Sequence, residues 1–313
     1  LTFGPDADAD RLATLQTPGG SGSLRVAAGL ILAARPDARV WVSDPTWNNH
    51  VPLLGGAGMK LEPYPYYDEA TRSLRLDAML DTLRKAPKGD LVLLHACCHN
   101  PSGVDPSEDD WRAITDVIAE RELVPFVDMA YQGFATGIDE DAFSIRHLAS
   151  RVPEMVVSTS CSKNFGLYRD RVGGLSFLVD SAETRATMLS QAGSYVRTLY
   201  SMPPDHGAAV VALILGDPEL EAAWREEVAG MRGRLQEMRK LLHDALAEKL
   251  PEHDFSHLVR ATGMFCFLGV SAEQVGRLKR EFGVYMVDSS RINVAGITPG
   301  NVEHLATAIA AVV

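Results

Sequence analysis

Between Ser158 and Arg171 the chain reads Ser-Thr-Ser-Cys-Ser-Lys-Asn-Phe-Gly-Leu-Tyr-Arg-Asp-Arg. Four small hydroxyl residues precede Lys163, and Arg171 follows it eight positions later. A lysine amine can form a Schiff base with an aldehyde, while hydroxyls and a guanidinium can hold a phosphate. Read alone, a lysine near serines is more often plain surface. The weight of the stretch depends on what the rest of the chain brings to it.

The elements around Lys163 follow a regular order. An apolar run from Met155 predicts a strand ending at Ser160, with a further strand over Val172–Val179. Upstream, strands are expected at Arg39–Asp44, Met59–Tyr66, Asp90–Ala96 and Val124–Asp128, and helices at Leu24–Ala34, Leu76–Ala86, Glu108–Arg121 and Phe143–Ser150. This alternation predicts an α/β fold whose mostly parallel sheet is covered on both faces. Beyond it come helices over Ala182–Tyr200 and His206–Leu215, then one long amphipathic pattern from Glu219 to Leu250. The C-terminal part predicts a strand at Met264–Leu268, a helix at Ala272–Phe282, short extended pieces near Val284 and Arg291, and a last helix ending at Val312.

Several polar residues stand where α/β sheets place ligands, just past the carboxyl ends of strands. Asp128 closes an apolar strand and, being partly buried there, needs a partner. Asn100 follows the buried run that ends near His95. Trp47 stands in a polar loop, as a loop anchor or as a stacking platform for a planar ligand. Residues 14–23 read as a glycine-rich turn opening a helix, with no clear strand before it; such a turn offers backbone N–H groups to a phosphate. The adjacent Cys97 and Cys98 tempt a metal reading. On extended backbone they would face opposite ways, and no second Cys/His pair has zinc spacing, so no metal is expected.

Bulk properties narrow the partners. The net charge of -11 argues against nucleic acid or an anionic membrane as the main partner. No apolar run reaches membrane-spanning length, and four cysteines do not form a disulfide-like framework, so a cytoplasmic location is expected.

Together these loops resemble the class I aminotransferases, the aspartate and aromatic amino-acid branch that uses pyridoxal 5'-phosphate. The strings that carry the resemblance are Gln-Thr-Pro-Gly-Gly-Ser-Gly (16–22), Trp-Val-Ser-Asp-Pro-Thr-Trp (41–47), Cys-Cys-His-Asn-Pro-Ser-Gly (97–103), Asp-Met-Ala-Tyr-Gln-Gly-Phe (128–134), Ser-Lys-Asn-Phe-Gly-Leu-Tyr (162–168) and Glu-Phe-Gly-Val-Tyr (281–285). They keep one order from Phe3 to Val313.

The resemblance implies the pyridoxal-phosphate fold type I. A large domain over about residues 1–230 would hold a seven-stranded sheet, with a smaller α+β domain over 231–313. It implies ping-pong transamination between aromatic or acidic L-amino acids (tyrosine, phenylalanine, aspartate) and 2-oxo acids such as 2-oxoglutarate. Lys163 would be the Schiff-base lysine and the base that moves the Cα proton. Asp128 would pair with the pyridine nitrogen, backed by His50 and His95. Tyr131 and Asn100 would bond the ring's phenolic oxygen, and Trp47 would stack on the ring. Gly20, Ser21, Ser160 and Arg171 would hold the phosphate, and Arg291 would clamp the substrate α-carboxylate. Arg197 matches the arginine that reaches into the neighbouring subunit's site for a side-chain carboxylate, which implies a homodimer.

The departures bear on substrate and on completeness. Ser21 and Met202 stand where aspartate-specialised members commonly carry threonine and asparagine, while Tyr66-Tyr-Asp-Glu-Ala-Thr71 and Arg121-Glu-Leu-Val-Pro-Phe126 look closer to aromatic-preferring members. The expectation is a broad enzyme rather than a strict aspartate aminotransferase. Members also carry an N-terminal segment before the point that matches Leu1, with an arm gripping the partner and a loop closing over substrate. Its absence makes a piece of a longer chain, or a non-catalytic remnant of the fold, the rival readings; a lyase on the same scaffold is a third. The pairing of Arg197 with Arg291 favours transamination.

Overall fold

A strand made only of apolar residues can be satisfied only if neighbours flank it and helices cover it above and below. Leu91–Leu94 is such a run, and the strand it forms with His95 has every residue buried. The computed structural model describes residues 1–313. In chain order it contains β1 (Leu12–Pro18), α1 (Gly19–Ala34), β2 (Arg39–Asp44), α2 (His50–Gly55), β3 (Lys60–Pro65), β4 (Tyr67–Asp68), β5 (Ser73–Leu74) and α3 (Leu76–Leu83). There follow β6 (Leu91–His95), α4 (Glu108–Glu120), β7 (Val124–Met129), α5 (Phe143–Ala149), β8 (Met155–Ser160) and β9 (Val172–Leu178). The remainder is α6 (Ala182–Leu199), α7 (His206–Gly216), α8 (Pro218–Lys249), α9 (His257–Arg260), β10 (Phe265–Phe267), α10 (Ala272–Phe282), β11 (Arg291–Asn293) and α11 (Val302–Val312).

Seven strands form one sheet in the order β1-β9-β8-β7-β6-β2-β3. Neighbours β2/β3, β2/β6, β6/β7 and β7/β8 are parallel, while β9 runs against both β8 and β1. Side chains alternate between the two faces. Val92 and Leu94 therefore join a core beneath α3, α4 and α5, and Leu91 and Leu93 join a core beneath α1 and α6. A third core unites α8 from Leu235 onward with β10, α10 and α11, and includes Cys97, Cys98, Tyr131 and Phe134 from the sheet's rim. Here β10 and β11 form a separate antiparallel pair.

Capping sets several helix boundaries. Ser107 and Asp110 form a reciprocal capping box at α4, and Ser271 and Gln274 do the same at α10, which ends on Gly283 at φ 66°.

Three expectations need correction, and a few short elements come in addition. The glycine-rich stretch is not a free-standing turn: β1 precedes it, and α1 begins at Gly19, five residues before Leu24. Pairing with β9 decides this, since Leu12 to Pro18 lies in register with Leu178 to Val172. The piece near Val284 is not a strand; only Arg291–Asn293 pairs with β10. The β4/β5 ribbon and the short α2 and α9 were not foreseen, being too short for periodicity to reveal. Finally, the backbone at Cys97 and Cys98 is not extended: Cys98 has φ 52°.

Candidate active site

Because β2, β6, β7 and β8 are parallel, their carboxyl ends share one rim. That rim carries Trp47 and His50 beyond β2, His95 and Asn100 at and beyond β6, Asp128 and Tyr131 at and beyond β7, and Ser160 and Lys163 at and beyond β8. The first turn of α1 arrives there after β1. The reversed β9 begins there, which is how Arg171, the residue before it, reaches the same place. One cavity of about 190 Å³ is lined by Gly20, Ser21, Trp47, His95, Asn100, Asp128, Tyr131, Ser160, Lys163 and Arg171. Ten of the thirteen residues singled out from sequence thus face one space, with Leu24, Cys97, Ala130, Ser162 and Tyr168 completing its wall.

At one end the groups suit an anion. The N-terminus of α1 presents Gly20 and Ser21 without a side-chain cap, so its first N–H groups are free to bind. Ser160 and Ser162 bond each other at 3.0 Å beside it, whereas Thr159 turns to the opposite face and donates to Gly174. Ser158 shares the face of Ser160 one step further down the strand, does not line the cavity, and donates to the Gly20 carbonyl at 3.4 Å. Arg171 donates to the carbonyls of Tyr168 (2.7 Å) and Pro18 (3.3 Å), which fixes its guanidinium against the helix start. Gly19 makes this approach possible: its φ is 70°, and a Cβ there would overlap the Arg171 guanidinium.

At the other end stands a buried carboxylate. Asp128 Oδ2 accepts from His50 Nε2 at 2.9 Å. Burial alone would raise the Asp128 pKa, but the His50 hydrogen bond and the surrounding positive charge outweigh it and hold the group below the usual carboxylate range. His95 does not touch the carboxylate. It reaches it through Thr46, whose Oγ1 lies 3.2 Å from His95 Nε2 and 2.8 Å from His50 Nδ1. Burial, reinforced by His50, pushes His95 down to about 3, so its ring is neutral. Thr46 and His99, which bonds Ser43 and Ser102 and lies 4.3 Å from the His95 ring, were missed from sequence.

Lys163 lies between these ends. Its Nζ sits 4.3 Å from the Tyr131 ring centroid. Burial lowers its pKa, and although Asp128 pulls the other way, Arg171 adds to the lowering; the net shift favours the neutral amine. Burial, then the Asp128 charge, raises the Tyr131 hydroxyl, keeping it protonated as a donor.

The remaining expected residues lie outside this cavity. Arg291 donates to Asn100 Oδ1 at 3.2 Å and packs 4.6 Å from the Phe265 ring, so it reaches the site's edge from β11. Arg197 is exposed on α6 and does not line the cavity of its own chain. The left-handed Cys98 brings both thiols and the Asp141 carboxylate within 4.8 Å of one another, so the two cysteines do not point apart as an extended backbone would require. Asp141 is engaged by the backbone N–H groups of Gly133, Ala135, Thr136 and Gly137.

A lysine with a free amine, a carboxylate braced by histidine and an anion cradle at the end of a mostly parallel sheet define an enzyme class that works through an aldehyde cofactor carrying a phosphate. The family profile described as "Aminotransferase class I and II" matches residues 3–309, and the chain belongs to that family. It is 48% identical to the aromatic-amino-acid aminotransferase of Escherichia coli K12, covering 100% of this chain and 79% of the relative. It is 46% identical to the aspartate aminotransferase of the same organism, over 96% of this chain and 76% of that one. Among solved structures, the Burkholderia pseudomallei aromatic-amino-acid aminotransferase covalently bound to pyridoxal phosphate superposes with a TM-score of 0.98. That match has 43% identity, over 99% of this chain and 79% of the other.

Proposed function

We propose that this aminotransferase moves the amino group of aromatic and acidic L-amino acids to 2-oxo acids such as 2-oxoglutarate, using pyridoxal 5'-phosphate. The observation that carries the reading is the single cavity joining Lys163, Asp128 and the Ser21/Ser160/Arg171 cradle. The donor set fits the cofactor: an anion site at one end, a carboxylate for a protonated ring nitrogen at the other, and an amine between them. The names and identities of the relatives support the substrate range.

When bound, pyridoxal phosphate supplies an electron-withdrawing ring that stabilises the charge left on Cα when its proton departs. The protein's residues do the rest. Lys163, whose amine burial shifts towards the neutral form, would hold the cofactor through that amine and would take and return the proton at the substrate Cα. Asp128, held ionised by His50, would keep a proton on the ring nitrogen. Tyr131 and Asn100 would hydrogen-bond the ring's phenolic oxygen, and Trp47 would cover a ring face. Gly20 and Ser21 would offer backbone N–H groups, Ser160 its hydroxyl and Arg171 charge-assisted bonds to the phosphate. Arg291, oriented by Asn100, grips the substrate α-carboxylate as a fork.

The proposal includes a homodimer in which Arg197 of one copy serves the other's substrate side chain. Its support is the exposure of Arg197 away from its own cavity, together with the exposed apolar residues Met202 (80%) and Leu213 (65%) nearby in sequence. It also divides the chain near residue 230, which is supported by the separate core that α8 builds with α10 and α11. A cytoplasmic location belongs to the proposal as well, supported by four unpaired cysteines; no helix is long and apolar enough to cross a membrane.

The test is product formation by purified protein with pyridoxal phosphate, 2-oxoglutarate and either L-tyrosine or L-aspartate. Glutamate should appear with both donors. Turnover with aspartate alone would reduce the reading to a strict aspartate enzyme, and turnover with neither would overturn it.

A further inference from the structure

Lys163 sits on the loop of residues 161–171 between β8 and β9, and a loop by itself leaves a long side chain poorly aimed. The two residues that follow it are held from an unexpected direction. Trp224, on the second turn of the long helix α8, donates its Nε1–H to the carbonyl oxygen of Asn164 at 2.8 Å. Its indole stacks on Phe165 with centroids 4.4 Å apart and planes within 10°. Trp224 is only 6% exposed and packs with Ile138 and Val228. On its other side the Asn164 amide donates to the Gln132 carbonyl at 3.2 Å, in the loop that carries Tyr131.

We infer that Trp224 is a positioning residue for Lys163, clamping the lysine loop to α8 through one hydrogen bond and one ring stack on consecutive residues. The inference rests on the transamination reading and adds to it a residue far from Lys163 in sequence that touches neither cofactor nor substrate.

The physical case has three parts. The clamp acts on the backbone directly after Lys163, so its loss transmits to the lysine's Cα without passing through a flexible side chain. It supplies the partner of a buried carbonyl, which would otherwise stand unsatisfied. It also ties the lysine loop and the Tyr131 loop together, since Asn164 bonds α8 with its carbonyl and the Gln132 carbonyl with its amide. Lys163 and Tyr131 lie 4.3 Å apart, so a small shift of one loop changes the amine's approach to a carbonyl in the cavity.

The test uses Trp224→Phe, which keeps an aromatic ring against Phe165 and removes the donor. kcat should fall roughly 10- to 100-fold while KM stays within about twofold, the pattern of misplaced chemistry rather than lost binding. A second readout needs no cofactor. The pH dependence of Lys163 acetylation by acetic anhydride, followed by peptide mass spectrometry, should show a higher amine pKa in the variant as the loosened loop admits water. An unchanged kcat and titration, with or without a lower melting temperature, would overturn the inference. Phe165→Leu attacks the same clamp from the loop side and should shift both readouts in the same direction, so the inference stays testable if Trp224→Phe fails to fold. Should the unsubstituted protein show no transamination, the functional reading falls while the cofactor-free titration still decides the role of Trp224.

Discussion

Replacing Gly19 with alanine tests whether the cradle at the start of α1 holds a phosphate. Two separate effects follow from the structure. First, an alanine held at φ 70° carries a left-handed strain of roughly 1–2 kcal/mol. For a chain of this length that corresponds to a fall in melting temperature of roughly 1.5–3 °C in the cofactor-free protein. Second, the new methyl group occupies the space of the Arg171 guanidinium, which must swing away and abandon its bond to Pro18. If Arg171 binds the phosphate, losing its charge-assisted bonds costs about 1.5–3 kcal/mol. Cofactor affinity then weakens about 10- to 150-fold. The assay is titration with pyridoxal phosphate, followed by quenching of tryptophan fluorescence, in Gly19→Ala, Arg171→Ala and the double variant. The two substitutions should not be additive, because each removes the same guanidinium from the same place. Equal affinity in Gly19→Ala and the unsubstituted protein, despite a lower melting temperature, would refute the argument. Full additivity in the double variant would do so as well.

Three further outcomes are expected. Lys163→Ala should abolish turnover, and substantial residual transamination would remove Lys163 from its assigned role. Arg197→Leu should penalise kcat/KM for aspartate far more than for phenylalanine, and equal losses would sink the claim that it binds a side-chain carboxylate. The third concerns His95, whose folded-state pKa of about 3 lies below its ordinary 6.5. Below 6.5 the unfolded chain binds a proton that the folded one refuses, so this contribution to stability is intact above that pH and lost progressively as pH falls towards 3. Between pH 6.5 and 5 the loss is about 1.5–2 kcal/mol. Urea denaturation at the two pH values should show at least that loss in the unsubstituted protein, since His99 and His257 are shifted the same way, and a smaller one in His95→Asn, and parallel behaviour would refute it.

Much of this was legible because local chemistry carried it. β8 spans the expected Met155–Ser160, the strand at Leu91–His95 follows its apolar run, and α10 begins after its capping serine, since each depends on residues close in sequence. The errors came where partners distant in sequence decide. Gln16 and Thr17 are strand residues only because Gly174 and Gly173 lie opposite them. The left-handed Cys98 sits in a turn whose backbone N–H groups are collected by Asp105, as Cys98 N and His99 N donate to it at 2.7 and 2.8 Å. Nothing in the Cys-Cys dipeptide announces that.

The same division runs through the site. Residue types and short spacings sufficed for the kinds of group required: an amine beside hydroxyls, a carboxylate closing an apolar strand, a glycine-rich helix start. Those properties belong to side chains and their immediate neighbours, and the strings containing them survive in one order along the chain. Which of these groups meet was decided by the sheet. Parallel strands brought four carboxyl ends to one rim, and the single reversed strand delivered Arg171 there as well. The thread from Asp128 through His50 and Thr46 to His95, and the grip of Trp224 on Asn164, join residues from 4 to 78 positions apart. Such pairings depend on register, packing and burial, which arise only when the whole chain closes on itself.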